Sequence, residues 1–331
     1  VLEPLDKEIT DHVAFAAERA RFFIGRTELQ QAIREYANGG NNHLLILFSE
    51  SGAGKSALMA CAIEELQRGG PELEVITRFI GAMPSSTDLQ TPLKSLCEQL
   101  YEVFDYEGQK QRQLETDGEY VVAYVHLIHV GTEVTRTARD EIEEEYTIPD
   151  NPLALPFTFR NFLKKIPGDK RIVLFLDAFD QLADDVKGGY LTWFPIELPE
   201  NVRVIASTLP VPVLSVLHSK LLPVNIVEIK PMSLEEGDML LDLWLRNAGR
   251  KLQPLKRQEI LSKFGECGLP LYLKLAFEQA RRWKSYSIDT ILGFGTPGIL
   301  RNLFKRLSLE SNHVAMMVAR SLSYIVTARH G

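Results

Sequence analysis

Along this chain, short unbroken apolar runs alternate with segments whose apolar residues recur at helical spacing. Leu44-Leu-Ile-Leu-Phe48, Arg171-Ile-Val-Leu-Phe-Leu176 and Val202-Arg-Val-Ile-Ala206 have the form of strands buried on both faces. Residues 74–80 also read as a strand. Helical spacing and stop signals predict helices over 5–21, 27–38, 55–67 and 91–104. In the first, Val13, Ala14 and Ala17 form the expected apolar face. In the second, Thr27 is the expected N-cap, and Gly39-Gly-Asn-Asn42 ends the helix. Strands separated by helices predict an α/β domain, a parallel sheet flanked by helices. From Ser233 the strand pattern fades. Segments 233–248, 256–264 and 271–283 read as helices of a second, helical domain, and a further unit starts near Thr296.

Residues 106–152 fit neither pattern. They are rich in acid (Asp140, Glu141, Glu143, Glu144, Glu145) and end in Pro-Asp-Asn-Pro. They read as a variable insertion, a solvated excursion from the α/β core, with a specificity element as the functional alternative.

Chemistry concentrates after the first strand, in Ser49-Glu-Ser-Gly-Ala-Gly-Lys-Ser56. A turn between strand and helix can aim successive backbone N–H groups at one point and so form an anion nest, strengthened by the positive end of the helix dipole. Ser51, Gly52, Ala53, Gly54, Lys55, Ser56 and Ala57 are the expected phosphate contacts. Lys55 reaches the β and γ phosphates and the Ser56 hydroxyl ligates Mg²⁺. The strict phosphate-loop pattern has Gly where this chain has Ser49, the outermost position. The second buried strand ends in Asp177, which places a carboxylate at the edge where open α/β sheets bind ligands. Asp177 is therefore the second expected Mg²⁺ residue. Asp180 either orients the attacking water or caps a turn. Ser207 and Thr208, at the end of the third run, either contact a γ-phosphate or simply terminate the strand.

In this order, Phe23-Ile-Gly-Arg26, the phosphate loop, Arg78-Phe-Ile-Gly81, Leu176-Asp-Ala-Phe-Asp-Gln-Leu182, Ser207-Thr-Leu-Pro210 and Gly268-Leu-Pro-Leu271 resemble the STAND signal-transduction NTPases. Within that class they are most similar to the NACHT branch of NACHT/WD-repeat and nephrocystin-3-like proteins. The resemblance implies an ATP/ADP-controlled switch with Mg²⁺, self-association when ATP is bound, and effector and sensor domains elsewhere in a larger protein, in innate immune or antiviral defence. It implies that Ile24 and Gly25 meet the adenine through their backbone with Arg26 nearby, and that Pro270 packs on the base. It divides the chain into a leading helix and linker (1–22), a P-loop domain (23–228), a helical lid (229–290) and the start of a winged-helix domain (291–331). Where many NACHT proteins carry an arginine after the third strand, this chain has Leu209 and Pro210.

Composition adds limits. There are 37 basic and 44 acidic residues, a net charge of −7, which disfavours nucleic acid as a partner of the whole surface. Arg281, Arg282, Lys284, Arg301, Lys305 and Arg306 form a local basic cluster, read as a solvated face or an oligomer contact. Three distant cysteines suggest reduced thiols, and no apolar run approaches the ~20 residues of a spanning helix, so a cytoplasmic location is expected. Both ends read as cut from a longer protein. His126 and His129 lack a further ligand at metal spacing. Three readings stand: a slow Mg²⁺-dependent ATPase switch, a nucleotide-stabilised scaffold with negligible turnover, and an origin-recognition-like ATPase acting on DNA.

Overall fold

A computed structural model describes residues 3–70, 73–80, 89–117, 138–182, 194–284 and 292–327. Helices α1 (Pro4–Ala20) and α2 (Thr27–Asn38) precede β1 (Leu45–Phe48), α3 (Lys55–Gln67) and β2 (Leu73–Phe79). Then come α4 (Gln90–Val103), α5 (Tyr106–Asp117), α6 (Ala138–Tyr146), α7 (Leu155–Lys165) and β3 (Arg171–Asp177). They are followed by β4 (Val202–Thr208), α8 (Pro212–Lys220) and β5 (Ile226–Glu228). The rest is helical: α9 (Leu234–Asn247), α10 (Pro254–Gly265), α11 (Pro270–Ala280), α12 (Gly295–Leu307) and α13 (Ala315–Thr327).

The five strands form one parallel sheet in the order β2-β3-β4-β1-β5. Both faces are covered, which is why the strands read as continuous apolar runs. Leu44 and Ile46 face one core layer together with Ile172, Leu174 and Leu176. Leu45 and Leu47 face the other, with Val173, Phe175 and the α3 residues Leu58, Met59 and Ile63. A third cluster, from Met232 to Ile299, belongs to the helical C-terminal part, and Phe22 and Ile24 pack against it.

Three expectations change. The buried face of α1 is His12, Phe15 and Ala16, while Val13 is 54% exposed and Ala14 and Ala17 are also exposed. The cause is polar, because the Phe79 N–H donates to His12 Nδ1 at 3.3 Å and pulls the histidine inward. Thr27 begins α2, but the cap residue is Arg26, in the left-handed conformation (φ 55°, ψ 35°). Finally, the described parts of 106–152, residues 106–117 and 138–152, are no simple solvated excursion, while 118–137 lie outside the described residues. Tyr106 is wholly buried, Ile142 and Tyr146 join the same core layer, and the Tyr106 hydroxyl donates to Phe162 O within α7. Gly81, His126 and His129 lie outside the described residues, as does the end of the stretch read as a winged-helix start. Among the described residues of α13, none is buried.

Helix α1 is pinned to the sheet edge by a buried charge. Arg78 is 2% exposed and donates to Gln99 Oε1 (2.8 Å), Ser95 Oγ (2.7 Å) and Thr77 O (2.9 Å), and it pairs with Glu8 at 3.2 Å. Burial pushes the Arg78 guanidinium down to about 10, opposed by the charges of Glu8 and Glu98. Burial raises the Glu8 carboxyl, but His12, Arg78 and the Ser95 hydroxyl together outweigh it and hold Glu8 below its ordinary value. A depressed carboxylate contributes stability that is present above its unfolded value and is lost as pH falls through the folded one. Arg78→Ala should therefore cost roughly 3 kcal/mol in urea unfolding, because Glu8 is left half-buried without its partner. Glu8→Gln should lose less stability than the parent between pH 7 and pH 4. An equal loss in both proteins would show that the pair does not hold α1.

Candidate functional site

The site is built at the C-terminal edge of the sheet. β1 ends at Phe48 and the chain turns through 49–54 into α3. Gly52 (φ 81°) and Gly54 (φ 91°) take left-handed angles that L side chains rarely adopt. Gly54 is the N-cap of α3 and offers no side chain, so the first-turn amides are left for the oxygens of a ligand. Lys55 Nζ donates to Ser49 O (2.8 Å) and Glu50 O (3.1 Å), which holds the ammonium across the mouth of the loop. Burial pushes the Lys55 ammonium down, with Asp177 and Asp180 opposing.

The sheet order sets where the carboxylates stand. β4 lies between β1 and β3, so Ser207 sits beside Asp177 and its hydroxyl donates to Asp177 Oδ1. The same hydroxyl accepts the Ala178 N–H at 3.0 Å, and Ala178 is left-handed (φ 56°). Asp177 is thus held through Ser207, which is itself held by the next backbone N–H. Asp180, in a single turn of 3₁₀ helix, accepts the Leu209 N–H on Oδ1 at 3.1 Å and so also ties β3 to β4.

These groups open on a cavity of about 540 Å³ between the sheet edge and the helical part. Ser51, Gly52, Gly54, Lys55, Ser56 and Ala57 line it, as do Ile24, Arg26, Asp177, Asp180 and Pro270. Ala53, Ser207 and Thr208 are buried behind its wall, and the Thr208 hydroxyl donates to Leu209 O at 3.1 Å. Gly25 lies behind Arg26, against Glu236.

The helical part touches the loop itself. The Leu271 N–H donates to Gly52 O at 3.1 Å, and a Cβ on Gly52 would stand 2.7 Å from Leu271 Cβ. Pro270 sits at the first position of α11, beside Gly54. Sequence reasoning did not single out Leu271, Trp244 or Lys274 as lining residues, nor Glu236 as a contact of Arg26. For Glu236 a signal existed, because Ser233-Leu-Glu-Glu236 spells a capping box, and both of its bonds form.

The family described as Novel STAND NTPase 1 matches residues 13–187, more than half of the chain and the part that carries the loop and both carboxylates. The chain belongs to the novel STAND NTPase family. This STAND chain is 29% identical to the human NACHT domain- and WD repeat-containing protein 1, over 99% of its own length and 19% of that protein. It is 26% identical to the mouse NACHT and WD repeat domain-containing protein 2, over 99% of its length and 18% of the relative. It therefore spans about a fifth of these relatives. Among solved structures it is similar to the Walker-type ATPase of Pyrococcus abyssi, at 13% identity and a TM-score of 0.45, covering 92% of this chain and 78% of the other. Membership of that family makes the STAND module a nucleotide-binding NTPase module. Its three cysteines are free, and no helix among its described residues is long and apolar enough to cross a membrane.

Proposed function

We propose that this module binds ATP or ADP with Mg²⁺ and acts as a switch in which the nucleotide holds the helical part onto the α/β body. The supporting observation is that one cavity is walled by both, with the Leu271 N–H on Gly52 O joining lid to loop. The loop amides and Lys55 take the β and γ phosphates. Ser56 and Asp177 would hold Mg²⁺, which when bound would supply charge neutralisation for the phosphates. Ser207 keeps Asp177 oriented, and Asp180 orients the attacking water with its second oxygen. Ile24 presents backbone to the adenine and Pro270 packs against it, with Gly25 shaping the turn behind the cavity wall. In the longer protein, ATP would favour self-association and release of an effector, in innate immune or antiviral defence.

A ligand that touches both bodies favours the arrangement in which both contacts are made, by as much as it binds the two arrangements differently. The chain passes between the bodies at Ile229-Lys-Pro231, where Ile229 N–H is held by Phe48 O at 2.8 Å. ADP should protect the segment around Lys230 from limited cleavage by proteinase K, a protease of broad specificity. Pro270→Gly should weaken ADP binding several-fold and remove that protection, with Mg²⁺ dependence unchanged. Equal cleavage with and without ADP in a parent that demonstrably binds ADP would overturn the clamp.

A further inference from the structure

At the edge of the sheet opposite the phosphate loop, the chain forms a second cleft. Residues 194–199 run along the N-terminal ends of the strands before the chain enters β4. There Glu197 bridges to His43, and the Leu198 N–H donates to Asn42 O at 2.8 Å. Helices α7 and α8 both end at this edge, because each leads into a parallel strand of the sheet. Between them lies a cavity of about 420 Å³, within the size range of ligand clefts.

The floor of this cleft is apolar, with Leu163 and Phe194 buried and Ile196 half-buried. Its walls are cationic. Arg160 and Lys164 stand one turn apart on α7, and Lys220 lines the cleft from the last turn of α8. Glu197 is the one carboxylate among the lining residues. Lys165, next along α7, is taken up by Glu145 and the Tyr146 ring, whereas Lys164 and Lys220 have no ion pair among the described residues. A cation in the last turn of a helix complements the helix dipole, which accounts for one lysine on each helix. It does not account for the apolar hollow between them, nor for three cations gathered at one cleft in a chain of net charge −7.

We propose that this cleft binds an acidic peptide segment of a partner protein. A bulky apolar side chain of the peptide rests on Leu163, Phe194 and Ile196, and its flanking carboxylates meet Arg160, Lys164 and Lys220. Charge complementarity selects an acidic occupant, and the hollow floor selects one with an apolar anchor. Glu197 decides between anions. It repels a continuous phosphate backbone, and it accepts a peptide N–H, which a phosphodiester chain does not offer. The site lies at the other end of the strands from Lys55 and Asp177, so peptide and nucleotide have separate places on the α/β body.

The test pans a phage-displayed library of random dodecapeptides against the intact chain. Enriched peptides are titrated by fluorescence anisotropy, and the thermal midpoint is measured for each variant. Enriched sequences should carry Asp or Glu on both sides of a Leu, Ile, Phe or Trp, with Kd in the range of about 1–100 μM. Lys164→Ala combined with Lys220→Ala should weaken them about fivefold, and Lys164→Glu combined with Lys220→Glu more than tenfold. The thermal midpoint should stay within about 2 °C of the parent for the alanine pair. Ile196→Ser should weaken the same peptides with the salt dependence of binding unchanged, since it removes apolar contact and no charge. Should the charge-reversed protein not fold, the alanine pair and Ile196→Ser carry the test. No enrichment on the parent, a neutral or basic consensus, or equal affinity for parent and lysine variants would overturn the proposal. A single-stranded oligonucleotide that binds the parent more tightly than the peptides, and loses affinity in the same variants, would also overturn it. A lowered thermal midpoint with unchanged peptide affinity would leave the lysines as helix-end cations and end the proposal as well.

Discussion

Lys55→Ala is expected to abolish nucleotide binding, with the affinity for ADP and ATP falling by roughly a hundredfold or more. The ammonium lies across the mouth of the loop, its three donors partly held by Ser49 O and Glu50 O. Phosphate oxygens would exchange one set of acceptors for a charged one. The lysine is only half-buried and belongs to none of the three apolar clusters, so its truncation should cost about 1 kcal/mol of stability. Calorimetric titration alongside thermal unfolding separates the two effects. Equal ADP affinity in variant and parent would remove Lys55 from the site.

The second large effect concerns Asp177→Asn. The carboxylate is 5% exposed, receives the Ser207 hydroxyl and is followed by the left-handed Ala178, so its direction is set before any ligand arrives. An asparagine can still accept from Ser207 but lacks the charge that Mg²⁺ requires. Mg²⁺-dependent ATP turnover should fall about a hundredfold, and ADP binding should persist through the loop amides and Lys55. Phosphate release measured with and without Mg²⁺ checks this. Should Asp180→Asn do more damage to Mg²⁺ dependence, the two carboxylates have exchanged roles. A parent without measurable turnover would favour the scaffold reading, with the same residues serving binding alone.

What could be read beforehand follows from how local each cause is. β1, β3 and β4 announce themselves because both faces are covered, so their middle positions are almost all apolar, Arg203 in β4 excepted. α3 was bounded at both ends because Gly-Lys opens it and Gly69-Gly70 closes it. β5 was missed, since three edge residues of partial burial make no run. α7 and α8 were also not placed. The face of α1 was misjudged by one position, because periodicity assigns burial to alanine and valine whereas a histidine bond to Phe79 N decides it. The loop, Asp177 and Asp180 were legible as motif and strand end. Arg26 as a left-handed cap was not, because Glu236, which holds it, lies 210 residues away in sequence.

The roles proposed for Lys55, Asp177 and Pro270 all require the cavity at the sheet edge to hold an adenine nucleotide. Denaturing the purified chain and chromatographing what it releases tests it most directly, followed by ADP titration of any protein that comes nucleotide-free. ADP or ATP equimolar with protein is expected, and none from Lys55→Ala. No released nucleotide, together with no ADP binding up to millimolar concentration with Mg²⁺ present, would contradict it.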